Sequence, residues 1–276
     1  MGSYPPPIEP EILPPDGSIP PPPQPVRRSR TSWTVAPATH VLIGINCAVF
    51  LLMLAAHVSF LSPSSDDLLR FGANNAGSVL FDGEWWRIVT AMFVHVGIIH
   101  LATNMWCLWN LGLLAEPLLG SGGVVAAYIL SGAAGNLLST FVNQWLYHPP
   151  PGSEGPFGPV GAGASGAVFG LAGVLIVLLK SPLLPIPRAD LNGLRKSVII
   201  FAAINLVIGL GTMIPGSLVR IDNMAHLGGF ACGLIFAMPL VPRIGAPRGK
   251  FVLRLRIAVG MVTVLLTLFG FYLAQF

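Results

Sequence analysis

The sequence is poor in charged residues and in cysteine. Only 9% of its 276 residues are charged and 53% are hydrophobic, whereas a typical soluble domain carries about 25% charged residues. This composition excludes an ordinary soluble enzyme, a disordered protein and a nucleic-acid-binding protein. The three cysteines are too few and too widely spaced for a disulfide framework or a zinc site. They lie in apolar runs, at Cys47, Cys107 and Cys232.

Long apolar runs make up most of the chain after its first 36 residues. Seven of them approach the length of a membrane-spanning helix, which needs about 20 mostly apolar residues. We place these spans at 40–61, 98–115, 123–146, 163–180, 197–214, 225–241 and 252–274. The sequence therefore predicts an all-α protein, a polytopic transmembrane helical bundle with short loops.

A proline-rich segment precedes the apolar runs. Residues 1–25 hold 11 of the 26 prolines, and residues 1–36 lack the apolar stretch of a secretory signal peptide. Because proline lacks a backbone donor and fixes φ, we predict a disordered cytoplasmic tail over 1–36. A ligand for a proline-binding module is an alternative interpretation.

Basic residues are distributed unevenly among the links between the spans. Twelve of the 15 lie in the tail, in the link after the fourth span or in the link after the sixth span. Cytoplasmic loops carry an excess of Lys and Arg. We therefore expect an integral, multi-pass protein of the plasma or bacterial inner membrane, with the N-terminus cytoplasmic and the C-terminus external.

In this topology the second, fourth and sixth spans all begin at the outer side of the membrane. Ionisable groups within a bilayer are costly and need a partner or a function. Polar residues lie at the beginnings of these three spans: His95, His100 and Asn104 in the second, Ser165 in the fourth, and Asp222, Asn223 and His226 in the sixth. The three spans can therefore direct polar groups into one common pocket.

Each of these polar residues also has a structural explanation. Taken alone, His226 is readily explained as a donor to a carbonyl of another helix. Small residues around Ser165 are typical of close helix packing in membranes. A metal site at His95 and His100 is disfavoured, because no carboxylate or cysteine lies close by to complete it.

The combination of residues is more informative than any one of them. A nucleophilic hydroxyl needs a general base and donors for the oxyanion that forms during acyl transfer. Ser165 supplies a hydroxyl and His226 a base that titrates near neutrality. His100 and Asn104 are four residues apart, so they share one helix face and can both donate to an oxyanion.

These motifs resemble those of the rhomboid family of intramembrane serine proteases. Three of them carry the resemblance: His95-x4-His100-x3-Asn104, Gly163-Ala164-Ser165-Gly166 and Ala225-His226-Leu227-Gly228-Gly229. The stretch Glu84-Trp85-Trp86-Arg87 and the later Glu116 also fit the family pattern. The similarity extends over about residues 40 to 242.

The resemblance implies a six-helix catalytic core at 37–242. A basic loop and a seventh, lipid-facing helix at 243–276 would be added to that core. Ser165 would be the nucleophile and His226 the general base of a dyad. His100, Asn104 and the backbone N–H of Ser165 would form the oxyanion hole.

Four further residues would support the site. They are His95, Gly163, Phe169 and Gly229. The resemblance implies that His95 is a structural hydrogen-bonding residue and that Phe169 packs against the imidazole. It implies that Gly229 gives the imidazole room.

The expected activity is cleavage of single-span membrane proteins near the outer face of the bilayer. We expect no cofactor, no metal and no nucleic-acid partner. The sequence does not indicate an oligomeric state. Two other hypotheses remain open. One is a pseudoprotease of the same fold that binds membrane clients without cutting them. The other is an unrelated transporter that uses embedded histidines for proton coupling.

Asp222 allows two interpretations. It lies four residues before His226, so it can orient the imidazole as the aspartate of a triad does. The alternative, which we favour, is a solvated residue at the external end of the sixth span.

Overall fold

The computed structural model describes residues 36–146, 158–181, 183–184, 186–211, 221–243 and 247–275. The predicted proline-rich tail lies outside these residues, apart from Ala36. The described helices are α1 (Pro37–Ala55), α2 (Ser65–Arg70), α3 (Ala76–Leu80), α4 (Arg87–Thr90), α5 (Ile98–Leu119), α6 (Ser121–Leu146), α7 (Ser165–Leu178), α8 (Arg188–Gly211), α9 (Asn223–Ala237) and α10 (Arg248–Leu273). Short 3₁₀ helices follow α4 (Ala91–Phe93) and α9 (Met238–Arg243).

The seven predicted spans correspond to seven of these helices. Six are long and apolar enough to cross a membrane: α1, α5, α6, α8, α9 with its 3₁₀ extension, and α10. The seventh, α7, is a shorter apolar helix of 14 residues. The prediction of an all-α helical bundle is confirmed.

Most helix ends differ by a few residues from those predicted, and three of the differences are informative. α1 ends at Ala55 rather than near 61, and His57 follows with a positive φ of 64°. α7 begins at Ser165 rather than at 163, since Gly163 adopts a φ of 129° that a helix does not allow. α8 begins at Arg188 rather than near 197, because its first turns are charged and hydropathy does not reveal them.

The segment between α1 and α5, residues 56–97, is folded and not an irregular loop. We call it the α1–α5 loop. Ser64 caps α2 and Asn75 caps α3 through their side chains. The buried Arg87 donates to the carbonyls of Leu69 and Ala73 and pairs with Glu84 at 2.6 Å. One guanidinium therefore holds together three parts of this loop.

α7 lies at the centre of the bundle between α6 and α9. The backbones of α7 and α9 touch at two pairs of glycines one turn apart, Gly166 with Gly229 and Gly170 with Gly233. A Cβ atom on Gly229 or on Gly233 would collide with the carbonyl oxygen of its partner glycine. Helices approach this closely only where both present small residues. The crossing fixes Ser165, at the start of α7, beside the first turns of α9.

Glu116 joins the start of α1 to the end of α5. Its buried carboxylate accepts the backbone N–H groups of Ala38 and Thr39 at 2.9 Å. The hydroxyls of Thr39 and Ser121 also donate to it. Since α5 spans 22 residues, its first turn, which carries His100, lies at the opposite side of the bundle from the start of α1.

α10 is attached to the core through apolar contacts. Most of its side chains lie on the surface of the bundle, as expected for a lipid-facing span. Leu273, however, is fully buried in a cluster with Val79 and Ile88 of the α1–α5 loop and Leu137 of α6. The last turns of α10 therefore lie at the same side of the bundle as this loop.

Candidate active site

The first turns of α5, α7 and α9 meet around one cavity of about 350 Å³. We call it the polar cavity. Residues from the three helix starts line it: Ile99, His100 and Thr103 from α5, Ser165 from α7, and Ile221, Asp222 and Ala225 from α9. Asn136 of α6, residues 160–163, and Leu61, Val96 and Gly97 of the α1–α5 loop complete its wall. The fold therefore brings together the polar starts of three helices that are distant in sequence.

Residues 158–164 lead into Ser165, and we call them the approach segment. Gly161 forms two backbone hydrogen bonds with Asn74, of 2.7 and 2.8 Å. The N–H of Gly163 donates to the carbonyl of Ala91 at 3.0 Å. Because the α1–α5 loop supplies these partners, it determines where α7 begins and where the half-buried Ser165 lies.

His95 contributes a third contact to the approach segment. The N–H of Ala164 donates to Nε2 of His95 at 3.4 Å, and Nδ1 lies 3.3 Å from the carbonyl of Phe93. This arrangement requires the proton on Nδ1. Burial, together with the nearby His100 ring, lowers the pKa of His95 well below its ordinary value. His95 is therefore neutral and supports the residue before Ser165.

The two residues predicted as oxyanion donors are placed differently. His100 lines the polar cavity, and its ring packs so closely on Gly163 that a Cβ there would lie 2.5 Å from its Cε1 atom. Asn104 is buried and donates through Nδ2 to the carbonyl of His100 at 2.9 Å. Among the described residues, Asn104 is not part of the cavity wall. The structure thus brings His100, but not the Asn104 carboxamide, to Ser165.

The imidazole of His226 is buried and stacked on Phe169. Their ring centroids are 4.2 Å apart and their planes differ by 12°. Both rings also line a second, almost wholly apolar cavity of about 370 Å³ beside α8. Gly229 has a clear role in the helix crossing, because the atoms closest to a Cβ at that position are those of the Gly166 backbone.

Ser165 lines the polar cavity, whereas His226 lines the second, apolar cavity. The residues next to them are in contact, since a Cβ on Gly166 would lie 3.2 Å from the carbonyl oxygen of Ala225. Within the described part of the chain, no hydrogen bond joins the Ser165 hydroxyl to the His226 ring, and Nδ1 of His226 has no partner. Catalytic hydrogen bonds often form fully only when substrate is bound.

Asp222 has neither of the roles considered from the sequence. Its half-buried side chain is turned back onto the start of its own helix, where Oδ1 accepts the N–H of Ala225 at 2.9 Å. Oδ2 accepts the hydroxyl of Ser139 on α6. The interpretation as a solvated residue is wrong, because a helix N-terminus and a neighbouring helix both bind this carboxylate.

The family model for the rhomboid domain matches residues 82–243, which include α4 to α9 with Ser165 and His226. This chain belongs to the rhomboid family. With six helices suited to crossing a bilayer among its described residues, this rhomboid is an integral, multi-pass membrane protein.

Three relatives illustrate the similarity. The rhomboid protease GluP of Bacillus subtilis is 31% identical over 209 residues, which are 75% of this chain and 36% of GluP. RHOMBOID-like protein 7 of Arabidopsis thaliana is 32% identical over 181 residues, 66% of this chain and 51% of the relative. The rhomboid protease AarA of Providencia stuartii is 28% identical over 222 residues, 78% of this chain and 76% of AarA. The chain thus spans about a third to a half of the first two relatives.

Sequence reasoning missed a polar face of α6 that supports the rhomboid site. Asn74 of the α1–α5 loop donates to the Asn136 carbonyl and exchanges hydrogen bonds with Thr140. Ser139 binds Asp222 and accepts a hydrogen bond from Asn143. The signal was present, because polar residues three or four apart on an otherwise apolar helix share one face. They are Asn136, Ser139, Thr140 and Asn143.

Proposed function

We propose that this rhomboid is an intramembrane serine endopeptidase that cleaves transmembrane segments of single-span membrane proteins. One observation carries the proposal: a serine at the start of α7 and the ring of His100 line one cavity, beside the helix crossing that carries His226. The relatives named rhomboid proteases support the class of reaction.

The proposed chemistry is acyl transfer by a dyad. The Ser165 hydroxyl attacks the scissile carbonyl carbon while the His226 imidazole takes its proton. The resulting oxyanion accepts hydrogen bonds from the Ser165 N–H and from His100. Asn104 joins them when its carboxamide turns from the His100 carbonyl towards the polar cavity. His226 then protonates the leaving amine, and water hydrolyses the acyl-enzyme by the same steps.

We place this chemistry near the outer face of the membrane. Basic residues concentrate in the tail and in the links after α7 and α9, which indicates a cytoplasmic N-terminus and an external C-terminus. The Glu116 contacts place the start of α1 at the opposite side of the bundle from His100. With the start of α1 cytoplasmic, the polar cavity lies on the outer side, where water can reach Ser165.

The decisive experiment compares cleavage by variants of two serines. The chain is co-expressed with a panel of tagged single-span proteins, and any substrate found is then tested with purified protein in detergent. We expect Ser165→Ala to abolish cleavage. Ser131→Ala is the matched control, since Ser131 is a buried serine on the neighbouring α6 and lies outside the polar cavity. It should cleave at the wild-type rate.

Labelling with a fluorophosphonate tests the nucleophile without requiring a known substrate. Covalent labelling should occur in the wild type and in Ser131→Ala and should disappear in Ser165→Ala. Cleavage that persists in purified Ser165→Ala would refute the mechanism. A wild type that binds membrane clients but is neither labelled nor able to cut them would indicate a pseudoprotease.

A further inference from the structure

The carboxylate of Asp222 lies where three parts of the site meet. It lines the polar cavity together with Ser165. One oxygen accepts the N–H of Ala225 at 2.9 Å, and the other accepts the hydroxyl of Ser139 on α6. A Cβ on Gly161, in the approach segment, would lie 3.3 Å from the second oxygen. One side chain therefore binds α9 and α6 and lies beside the segment that leads into the serine.

The main chain of Asp222 holds the same turn of α9. Asp222 is the N-cap residue of this helix, and its carbonyl accepts the N–H of His226 at 3.1 Å. A carboxylate at a helix N-terminus also interacts favourably with the helix dipole. The turn that carries His226 is thus bound by both the side chain and the backbone of Asp222.

Asp222 does not act by touching the imidazole. Both of its carboxylate oxygens are engaged elsewhere, and Nδ1 of His226 has no partner among the described residues. The aspartate of a catalytic triad would accept a hydrogen bond from that nitrogen.

We infer that Asp222 is a positioning residue, which sets the location of His226 relative to Ser165 by fastening the start of α9 to Ser139 of α6. The inference rests on the proposed proteolytic function. A catalytic group misplaced by about 1 Å can slow a reaction about 100-fold. Loss of the hydrogen bond between Asp222 and Ser139 should therefore reduce turnover more than it weakens substrate binding.

Three substitutions of Asp222 separate the contribution of its helix cap from that of its hydrogen bond to Ser139 of α6. Asp222→Asn keeps an equally good N-cap acceptor and an amide that can bond Ser139. Asp222→Ser keeps a cap, but its shorter side chain loses the link to α6. Asp222→Ala removes both. We expect the kcat of Asp222→Asn to lie within about 3-fold of the wild-type value. The kcat of Asp222→Ala should be about 10- to 100-fold lower, and that of Asp222→Ser should lie between the two. KM should change little in all three variants.

A second readout separates positioning from general stability. The rate of fluorophosphonate labelling at Ser165 is measured per folded molecule, at a temperature at which every variant is folded. It should fall in Asp222→Ala and, to a smaller extent, in Ser139→Ala. The double variant should label no more slowly than Asp222→Ala alone, because both changes break the same link. Ser197→Ala is the matched control, since it removes an exposed hydroxyl that donates to the Gly193 carbonyl within α8, and it should leave labelling unchanged.

The outcomes distinguish this inference from the proposed function. If the wild type is neither labelled nor able to cleave a substrate, the proposed function and the positioning role of Asp222 are both refuted. If the wild type is active and Asp222→Ala labels at the wild-type rate, only the positioning role is refuted. A loss of several orders of magnitude in Asp222→Asn would indicate direct orientation of the imidazole and would also overturn it. Should Asp222→Ala not fold, wild-type labelling rates in both Asp222→Ser and Ser139→Ala would refute it.

Discussion

At the scale of single residues, the packing of His226 limits the orientations that its imidazole can adopt. Its ring is stacked on Phe169, so the orientation of the imidazole depends on a flat partner. We expect Phe169→Ala to lower kcat about 10-fold or more and to destabilise the fold by about 3 kcal/mol, because a cavity replaces a buried ring. Phe169→Tyr keeps the stacking surface and should retain most activity.

The measurement for Phe169 combines kinetics with unfolding in detergent. If Phe169 matters only for stability, Phe169→Ala will unfold at a lower temperature but will keep the wild-type turnover per folded molecule. That result would contradict a role for the stack in orienting the imidazole.

His95 should make the stability of the protein depend on pH. Because the folded state lowers the pKa of His95, the unfolded chain binds more protons once the pH falls below the ordinary histidine value of about 6.5. Stability should therefore decrease on acidification below that pH, by up to about 1.4 kcal/mol per pH unit for this one group. His95→Gln cannot titrate and can still accept from Ala164.

Unfolding temperatures at neutral pH and at pH values below the histidine range test this prediction. His95→Gln should lose less stability on acidification than the wild type, even if it is less stable at neutral pH. Equal losses in the two proteins would show that His95 does not titrate on unfolding.

Sequence alone indicates candidate site residues, but it does not indicate the contacts that these residues make. Ser165 and His226 stand out because polar groups are rare in apolar helices. The partners of Asp222 and of His95 could not be derived, since they lie on other elements: Ser139 on α6 and Ala164 in the approach segment. Such hydrogen bonds depend on how helices are rotated against one another, which composition and spacing do not specify.

At the scale of helices, the α7–α9 crossing is the contact least tolerant of change. A Cβ on Gly233 would collide with the carbonyl oxygen of Gly170, and neither backbone can move without displacing Ser165 or His226. We expect Gly233→Ala to lower the free energy of unfolding by about 1–3 kcal/mol, as overpacking does in other cores. Activity should fall as well.

The matched control for this crossing is Gly260→Ala in α10. A Cβ there meets no atom within 4 Å, so the same chemical change is made without a collision. This control should be at least as stable as the wild type in detergent, because alanine favours a helix over glycine by up to about 1 kcal/mol. Equal stability of Gly233→Ala and Gly260→Ala would contradict the close crossing.

The helices themselves were predictable to different degrees. Long apolar spans such as α5 and α6 follow from hydropathy, because the bilayer imposes their length and composition. The short helices α2 to α4 could not be predicted from an apolar periodicity. They are stabilised instead by the caps Ser64 and Asn75 and by the tertiary hydrogen bonds of the buried Arg87. The charged start of α8 was missed for the opposite reason: it is helical without being apolar.

At the scale of the whole molecule, the fold determines which surfaces share a side of the bundle. Leu273, at the end of α10, is buried against Val79 and Ile88 of the α1–α5 loop. The exposed Gln275 and Asp82 therefore lie on one side, and the exposed Gly249, at the start of the 26-residue α10, lies on the other. The packing of α10 sets these relative sides, whereas the distribution of basic residues predicts which of them faces the cytoplasm.

Cysteine labelling in intact cells tests both statements at once. A membrane-impermeant maleimide should modify Asp82→Cys and Gln275→Cys from outside, and Gly249→Cys only after permeabilisation. The parent chain, whose three cysteines lie within α1, α5 and α9, gives the background. If all three variants showed the reverse pattern, the fold would stand, but the active site would lie at the cytoplasmic face. If Asp82 and Gln275 were labelled from different sides, the packing of α10 against the α1–α5 loop would itself be refuted.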